Sequence, residues 1–388
     1  MKLLNRNCFV CDSINGTSIS IGKYYIASLG SLNLKLKVCK KCGSVFQNEI
    51  VDEETMGTYY KKFSNYLNQS LDNNPNELNT DCDERLFSVI QDNLKTQSVY
   101  DIGCATGHLL NKLKSNGWKV GGCDPSPEAV KIADKKYDIK LDCGLFDEII
   151  YKGYKTDLIV LSHVLEHVYY PGELLKKAYQ LLSEDGSILI EVPCFIAPEK
   201  WPNGYFTFEH INIFSENSLM NILKNNGFDI LFKKITTENI VYPVITILAQ
   251  KNGKNNKKLE YDNPLHSIDI INTFLNTDFK SWVNIENKLI NKLINFNDII
   301  IWGGGVHTSQ LLNFTNLISI KNILCIYDSN ESKYSEYILK YKITPPDFQL
   351  INRNNIAVVI SSKASENEIA EFLHLNITDM NKIIKIYS

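Results

Sequence analysis

V-Y-D-I-G-C-A-T-G-H-L-L at residues 99–110 is the stretch that decides the fold. Its apolar run ends at Asp101, a turn containing Gly103 and Gly107 follows, and an amphipathic helix then begins. Glycine lets a backbone turn tightly and approach a ligand without a Cβ in the way. The stretch therefore predicts a strand, a ligand-binding turn and a helix. The alternative is a strand, turn and helix that bind nothing.

A second acidic residue, Asp124, ends the next apolar run in V-G-G-C-D-P-S-P. An acid at the end of the second strand of an α/β unit is well placed to bind both hydroxyls of a ribose. The spacing G-x-x-x-G differs from the G-x-G-x-x-G of a dinucleotide fingerprint. Over residues 98–250 the pattern instead resembles the S-adenosylmethionine site of class I methyltransferases. The cofactor-binding residues that this resemblance implies are Asp101, Gly103, Cys104, Gly107, Asp124, Pro125, Cys143, Ser162 and His163.

The composition indicates a globular protein with a small-molecule substrate. The chain has 388 residues, of which 44% are hydrophobic and 22% are charged, so it is long enough for several domains with large cores. A formal net charge of −3 argues against a nucleic-acid partner. No apolar run reaches the ~18–20 residues of a membrane helix, and the N-terminal apolar run is too short for a signal peptide. We expect a cytoplasmic monomer or homodimer.

Four of the ten cysteines form two C-x-x-C pairs, Cys8 with Cys11 and Cys39 with Cys42. Four thiolates at this spacing predict a tetrahedral Zn²⁺ site, which is structural because no position is left for water. Four reduced cysteines without a metal are the alternative. A zinc ribbon that binds nucleic acid is disfavoured, because the segment between the pairs carries few basic residues.

Strands and helices alternate over residues 83–250, which predicts a largely parallel, doubly wound sheet. Ligands bind such sheets at the carboxyl ends of the strands. A polar linker follows at 251–264, then one or two helices at 268–294 and a second α/β pattern. The predicted parts are a zinc lobe with an aromatic segment at 1–75, a Rossmann-like class I methyltransferase domain at 76–250, a linker with helices at 251–296, and a Rossmann-like substrate lobe at 297–388. The predicted strands of the central sheet are 98–102, 118–123, 139–142, 157–162, 186–192, 228–234 and 242–250.

The segment G-Y-F-T-F-E-H-I-N-I-F-S at residues 204–215 carries the clearest acid–base chemistry. A histidine titrates near neutrality, and a neighbouring carboxylate can orient or charge it, so Glu209 and His210 predict a general base. A histidine that only packs beneath the substrate is the alternative. The aromatic residues Tyr59 and Tyr60 predict either packing against the next domain or a lid over the substrate.

The segment S-H-V-L-E-H-V at residues 162–168 contains two further candidates, Glu166 and His167. Metal binding through H-x-x-E-H requires a third ligand and a helical context, so we expect Glu166 and His167 to pack at a helix start. In the C-terminal lobe, the turn Gly303-Gly304-Gly305 lacks the third glycine of a dinucleotide fingerprint. Its amides and the following helix could hold a diphosphate, with a purely structural turn as the alternative.

The order of zinc lobe, adenosylmethionine domain and Rossmann-like lobe resembles the sugar C-methyltransferases, which act on nucleotide-linked 4-keto deoxysugars. The Glu-His pair matches that family's pair, in which the histidine is the base, although Thr207 stands where the family has tyrosine. Tyr59 and Tyr60 match its tyrosine-rich segment. The substrate-binding residues that the resemblance implies are Tyr205, Asn212, Gly303, Gly304, Gly305, Asp328 and Lys333.

The predicted function is therefore methyl transfer from S-adenosylmethionine to a nucleoside-diphosphate sugar, at the carbon beside a 4-keto group. His210 would remove the proton of that carbon. Methylation of an oxygen or nitrogen of a sugar or small metabolite is the rival hypothesis. A non-catalytic zinc-containing scaffold is the third, and the intact acid and glycine pattern argues against it.

Overall fold

The computed structural model describes residues 2–26, 30–63, 80–95, 98–146, 155–252, 258–363 and 365–387. Three larger sheets of four, seven and six strands organise these residues, and a two-stranded sheet joins the N-terminus to the first lobe. No helix in the described part of the chain is long and apolar enough to cross a membrane.

The N-terminal lobe is built from short antiparallel strands. Strands β1 (Leu3–Asn5) and β5 (Glu49–Val51) form the two-stranded sheet, while β2 (Gly16–Ile26), β3 (Gly30–Cys39) and β4 (Val45–Phe46) form a meander. One cysteine pair precedes β2 and the other lies at the turn from β3 to β4. Alternating buried and exposed residues along β3 place one face of the meander against the rest of the protein. The helix α1 (Glu53–Phe63) follows β5.

The central domain alternates strands and helices, as predicted. Its elements are α2 (Thr80–Asn93), β6 (Ser98–Ile102), α3 (His108–Ser115), β7 (Lys119–Asp124), α4 (Pro127–Tyr137), β8 (Asp142–Cys143), β9 (Thr156–Ser162), α5 (Pro171–Leu181), β10 (Leu182–Pro193), β11 (Asn212–Ile213), α6 (Glu216–Asn225), β12 (Phe228–Thr236) and β13 (Val244–Lys251).

The seven-stranded sheet has the order β12-β13-β10-β9-β6-β7-β8, and β13 runs antiparallel to both of its neighbours. The first strand, β6, lies near the middle, so the chain reverses direction beside it and opens a crevice at the carboxyl edge. This arrangement confirms the predicted Rossmann-like α/β fold. Apolar clusters on the two faces of the sheet form the cores of the domain.

Local signals fix the helix boundaries of this domain. Ser126 accepts a hydrogen bond from the Ala129 backbone, and Pro127 occupies the first turn of α4. The predicted strand over 139–142 was wrong, because the backbone N–H of Ile139 still donates to Ala133 at the end of α4. The strand therefore begins only at Asp142.

One strand of the four-stranded sheet comes from the central domain. The sheet order is β11-β4-β3-β2, and Asn212 and Ile213 of β11 pair with Phe46 and Val45 of β4. The loop that carries Glu209 and His210 ends at β11. The N-terminal lobe therefore anchors this loop directly.

A single long helix, α7 (Pro264–Lys292), leads to the C-terminal lobe. It begins after Asn263, whose side chain caps it. The end of the predicted linker is packed rather than free, since the carboxylate of Asp262 accepts hydrogen bonds from Ser215 and Asn217. The six-stranded sheet that follows has the order β16-β17-β15-β14-β18-β19. Its elements are β14 (Asp298–Trp302), α8 (Val306–Phe314), α9 (Leu317–Ile320), β15 (Asn322–Tyr327), β16 (Tyr337–Ile338), β17 (Tyr341–Thr344), α10 (Phe348–Ile351), β18 (Ile356–Ile360), α11 (Glu366–His374) and β19 (Ile383–Lys385).

Candidate active site

The turn after β6 has the features expected of a site for a cationic ligand. Asp101 is 5% exposed, and its Oδ1 has no hydrogen-bond partner among the described residues. Burial, with the nearby charges of Asp83 and Asp124, raises the pKa of this carboxyl well above its usual range. A buried carboxylate oxygen without a partner is unfavourable, so a bound cation would stabilise it. S-adenosylmethionine carries both an ammonium and a sulfonium charge, and the residues present fit it.

Gly103 is required at this turn on steric grounds. Its φ is +74°, and a Cβ placed there would lie 2.7 Å from Cγ2 of Val164. Asp124 holds the turn from the neighbouring strand, because its Oδ2 accepts from the Ala105 backbone at 2.9 Å. Its Oδ1 accepts from the Ser126 backbone at 2.8 Å. The two predicted acids and the glycine turn therefore meet at one point of the crevice.

The structure brings the other predicted cofactor residues to the same carboxyl edge. Pro125 follows β7, Cys143 ends β8, Ser162 ends β9 and His163 comes next. Cys104 is buried beneath the turn with its thiol 3.4 Å from the Cys123 carbonyl, so only its backbone borders the crevice.

The Glu209–His210 segment lies close to the 3₁₀ turn Leu165–His167 that follows β9. The rings of His210 and His167 are 4.9 Å apart and nearly perpendicular, at 74°. Burial and the neighbouring His167 lower the pKa of His210 to about 3. Burial raises the pKa of Glu209, so the carboxyl and the imidazole both favour their neutral forms.

Tyr59 reaches the same segment from α1 of the N-terminal lobe. Its hydroxyl bonds to Glu209, and its ring packs edge-on against Phe208 at 5.1 Å. This placement agrees with a role beside the base. The side chain of Tyr60 lies outside the described residues.

A buried polar network continues behind the two histidines. Glu166 is 1% exposed, and its Oε1 lies 3.3 Å from Nδ1 of His163. Burial opposes ionisation of Glu166, but the contact with His163 outweighs it and lowers the pKa of the carboxyl. Glu191 is bound by Arg85 at 2.7 Å and by Thr246 at 2.6 Å, so its charge is compensated.

With this geometry established, comparison with known proteins identifies the domain. Residues 75–232 match the family model described as "Methyltransferase domain".

This segment is a class I methyltransferase domain.

Relatives align with this chain only over a short stretch. The mitochondrial ubiquinone biosynthesis O-methyltransferase of Mus musculus is 33% identical over 106 residues, covering 25% of this chain and 29% of that protein. The ubiquinone biosynthesis O-methyltransferase of Azorhizobium caulinodans is 28% identical over 102 residues, covering 25% of this chain and 40% of that protein. The chain thus spans well under half the length of these relatives.

Solved methyltransferase structures are also similar to part of the chain. Magnesium protoporphyrin IX methyltransferase from Synechocystis, with bound S-adenosylhomocysteine, has 20% identity and a TM-score of 0.43, covering 52% of this chain and 100% of that chain. The 1,6-didemethyltoxoflavin-N1-methyltransferase of Burkholderia thailandensis has 17% identity and a TM-score of 0.42, covering 54% of this chain and 96% of that chain.

Two residues that position the Glu209–His210 segment of the methyltransferase domain had no signal in the sequence. Gln47 is buried, and its Nε2 donates to the carbonyls of Thr207 at 2.7 Å and His210 at 2.8 Å. Arg6 donates to the Ile211 carbonyl at 2.6 Å. Both belong to the N-terminal lobe, and nothing in their local sequence marks them as neighbours of residues 207–211.

Asn212 is hydrogen-bonded inside the protein, and its predicted contact with substrate stays a prediction. It is 1% exposed, and its Nδ2 donates to the carbonyls of Leu165 and Val168, each at 2.8 Å. Its Oδ1 accepts from Arg6 at 2.7 Å. Both donor positions of the amide are used inside the protein.

Tyr205 lies in an aromatic cluster below the site. Its ring is stacked on Trp201 at a centroid distance of 4.3 Å and packs edge-on against Phe206 and Tyr242. It is 6% exposed. This packing makes Tyr205 part of the wall that supports the segment, and its predicted substrate contact stays a prediction.

The four cysteines of the N-terminal lobe converge as the spacing predicts. The Sγ atoms of Cys8 and Cys42 are 3.5 Å apart, as are those of Cys11 and Cys39, and all four lie within 4.8 Å of one another. Zn–S bonds of about 2.3 Å would place tetrahedral sulfurs about 3.8 Å apart. The residues therefore fit a structural zinc ion.

The C-terminal glycine turn is tied to its own lobe. The backbone N–H of Gly304 donates to Oδ2 of Asp328 at 2.6 Å, and Nζ of Lys333 lies 2.9 Å from the same oxygen. Asp328 and Lys333 are buried. Their charges pair with each other, and the substrate contact that the resemblance implies for them stays a prediction. Gly303 and Gly305 flank this anchored amide.

Proposed function

We propose that this chain transfers a methyl group from S-adenosylmethionine to a carbon of a nucleotide-linked sugar, beside a 4-keto group. One observation carries the proposal: Glu209 and His210, just before β11, lie beside the turn that follows β9, while Asp101 and Asp124 lie at the carboxyl ends of β6 and β7 in the same sheet. A titratable pair and a cofactor turn would thus share one crevice.

Asp101, Asp124 and the turn at Gly103 would hold the cofactor. Asp101 offers an unpartnered buried oxygen to its positive charge, and the glycine lets it approach the backbone. When bound, S-adenosylmethionine supplies an electrophilic methyl group. The protein's own task is then to generate a nucleophile on the acceptor.

His210 is the base in this proposal, because its lowered pKa keeps the imidazole unprotonated and able to accept the proton whose removal generates the nucleophile. A 4-keto group acidifies the neighbouring C–H, and a positioned general base contributes about 10²–10⁴-fold to such a step. The imidazolium that forms would lie near the carboxylate of Glu166, whose charge favours it. Tyr59 and Glu209 share a hydrogen bond next to the base and would orient it or donate to the developing enolate oxygen.

The C-terminal lobe supports a nucleotide-linked acceptor. A cleft of ≈ 570 Å³ opens between α7, the segment after β18 and the segment after β19. Polar and basic side chains line much of it: Asn203, Asn284, Asn291, Lys288 and Lys363. Amides and ammonium groups of this kind bind phosphate and sugar hydroxyls, so this cleft is a candidate for the nucleotide end of the acceptor, although the predicted residues Asp328 and Lys333 do not line it.

Methylation of an oxygen is the second candidate. The relatives named above are O-methyltransferases by name, and a base that removes a proton from carbon also serves a hydroxyl. Under this alternative His210 keeps its role, and dependence on a keto group is lost.

Mass spectrometry of methyl transfer tests the proposal. Zinc-loaded protein and S-adenosylmethionine would be offered nucleotide sugars with and without prior conversion to their 4-keto forms, in D₂O. We expect one added methyl only on keto forms, with solvent deuterium at the adjacent carbon of recovered acceptor. Methylation of non-keto sugars would replace the proposal with oxygen or nitrogen methylation. No transfer to any sugar, with the cofactor still bound, would show that the acceptor class is wrong.

A further inference from the structure

Three side chains around the proposed base have the composition of an open metal site. Glu166, His167 and His210 each offer one ligand atom, and these three atoms lie within 4.8 Å of one another. The sequence motif H-x-x-E-H lacks a third ligand of its own, and the fold supplies His210 from a distant segment. Two imidazoles and one carboxylate bind divalent first-row metals in sites that keep open positions.

His167 is oriented as a metal-ligating histidine is. Its Nδ1 lies 3.0 Å from the backbone carbonyl of Glu209, and only a protonated Nδ1 can donate to that oxygen. In the neutral ring the lone pair then belongs to Nε2, which lies 3.9 Å from Oε1 of Glu166. Histidine ligands commonly donate their other N–H to a carbonyl in this way, which fixes the tautomer.

Glu166 supplies a buried negative charge that the described residues compensate only in part. His163 contacts Oε1 at 3.3 Å, whereas Oε2 has no hydrogen-bond partner among the described residues. A buried carboxylate oxygen in this state is unfavourable, and a cation would satisfy it.

The three ligand atoms, which lie within 4.8 Å of one another, must approach by at most about 1.5 Å to share one ion. Zinc bonds to nitrogen and oxygen of about 2.0–2.1 Å place tetrahedral ligand atoms about 3.3 Å apart. The 3.9 Å between Nε2 of His167 and Oε1 of Glu166 must therefore shorten by well under 1 Å. Side-chain rotation on the 3₁₀ turn and the adjoining loop can supply that movement.

A neighbouring cluster of Cys82, His163 and Glu191 has similar spacing but is a poorer site. Both oxygens of Glu191 are already bound, one by Arg85 at 2.7 Å and one by Thr246 at 2.6 Å. The guanidinium would also repel a metal ion at this distance. The cluster of Glu166, His167 and His210 is therefore the better candidate for a metal site.

We propose that Glu166, His167 and His210 bind one divalent transition-metal ion, such as Zn²⁺ or Co²⁺, at a site separate from the four cysteines, and that the bound ion blocks the base. The blocking rests on the proposed function, because a lone pair of His210 that coordinates a metal cannot accept a proton. The binding of the metal ion does not depend on the proposed function.

Co²⁺ added to protein whose cysteine site is already filled with zinc tests the binding. Calorimetry and the visible spectrum should show one Co²⁺ per chain, with nitrogen and oxygen ligands and no thiolate signature. Glu166→Gln and His167→Asn should weaken binding by at least tenfold, and the exposed-site control His374→Asn should bind as the wild type does. Unchanged binding and spectra in both site variants would overturn the proposal.

A measurement on the wild-type protein keeps the test decisive if either variant fails to fold. With isotope-labelled histidine, bound Co²⁺ should shift most strongly the ring resonances of His167 and His210 among the seven histidines, with a smaller shift of His163, which contacts Glu166. The largest shifts at any other histidine, or no strong shift at all, would refute the site.

Activity with a keto-sugar acceptor tests the blocking. One equivalent of Co²⁺ should lower methyl transfer at least tenfold, and a chelator that leaves the cysteine-bound zinc in place should restore it. Unchanged or increased activity with Co²⁺ bound would refute the blocking. If Co²⁺ binds as described while no sugar is methylated, the proposed function fails and the metal site stands. If sugars are methylated and Co²⁺ does not bind, the metal site fails and the proposed function stands.

Discussion

Gln47 offers a test of how the N-terminal lobe contributes to catalysis. It is not one of the proposed catalytic residues, but its side chain is hydrogen-bonded to the segment that carries Glu209 and His210. Gln47→Leu keeps the approximate size and removes the two N–H···O bonds to Thr207 and His210. Each such bond contributes about 0.5–1.5 kcal/mol net, so the segment loses about 1–3 kcal/mol of positioning free energy. At about 1.36 kcal/mol per tenfold, kcat should fall by about 5- to 150-fold.

The global stability of this variant should change less than its activity. The Oε1 of Gln47 is buried without a hydrogen-bond partner among the described residues, so its removal returns about 1 kcal/mol. The backbone bond from Gln47 to the Ile211 carbonyl at 3.0 Å does not involve the side chain and should persist. We therefore expect a small fall in Tm and an unchanged Kd for S-adenosylmethionine.

Steady-state kinetics, thermal unfolding and calorimetry with the cofactor check this prediction. The exposed Gln349 provides a matched control, since Gln349→Leu makes the same chemical change on α10 without touching the site. A kcat for Gln47→Leu within twofold of the wild type would refute the reasoning. So would a parallel loss of cofactor affinity, which would indicate a general disruption of the domain.

The remaining predictions concern the base, the cofactor acid, the zinc and one buried ion pair. His210→Ala should lower kcat by about 10²–10⁴-fold in the methyl-transfer assay with cofactor affinity retained, and normal turnover would disprove the base. Asp101→Asn should raise the Kd for S-adenosylmethionine by about 10- to 100-fold, measured by calorimetry, because a charged contact of about 1.5–3 kcal/mol is lost; unchanged affinity would contradict the cofactor site. Removal of zinc by a strong chelator should abolish methyl transfer and shift the Tm, and re-addition should restore both; full activity without zinc would show that the cysteine site is dispensable. Lys333→Met should cost about 3–5 kcal/mol in urea unfolding, because Asp328 is left buried without its cation, and a double variant with Asp328→Asn should recover part of it.

Local sequence patterns predicted most of the central domain. The strand at Ser98–Ile102 depends on residues that are neighbours in the chain, and it was confirmed. The strand predicted at 139–142 is shifted to Asp142–Cys143, because the backbone N–H of Ile139 still donates to Ala133 at the end of the preceding helix. The sequence I-K-L-D over 139–142 has the apolar–polar alternation of a strand, so the pattern alone did not reveal this contact.

The candidate site was predictable only in part. Asp101, Gly103 and Asp124 follow from the chemistry of strand ends and turns. The internal hydrogen bonds of Asn212 did not follow from the sequence. An asparagine in such a segment looks the same in sequence whether it contacts a ligand or is hydrogen-bonded to two backbone carbonyls and an arginine inside the protein. Asp328 likewise resembles a ligand-binding acid until Lys333 and Gly304 are seen to bind it.

The sequence by itself determined the alternation of strands and helices, the cofactor turn and the meeting of two cysteine pairs, because each depends on the periodicity and steric needs of short segments. Only the tertiary structure shows that β11 pairs with a strand of the N-terminal lobe and that Gln47 donates a hydrogen bond to the backbone carbonyl of His210. It also shows that the rings of His210 and His167 are in contact. The physical reason is that these contacts join residues more than 40 positions apart. Their distances depend on strand register and packing, which no local pattern encodes.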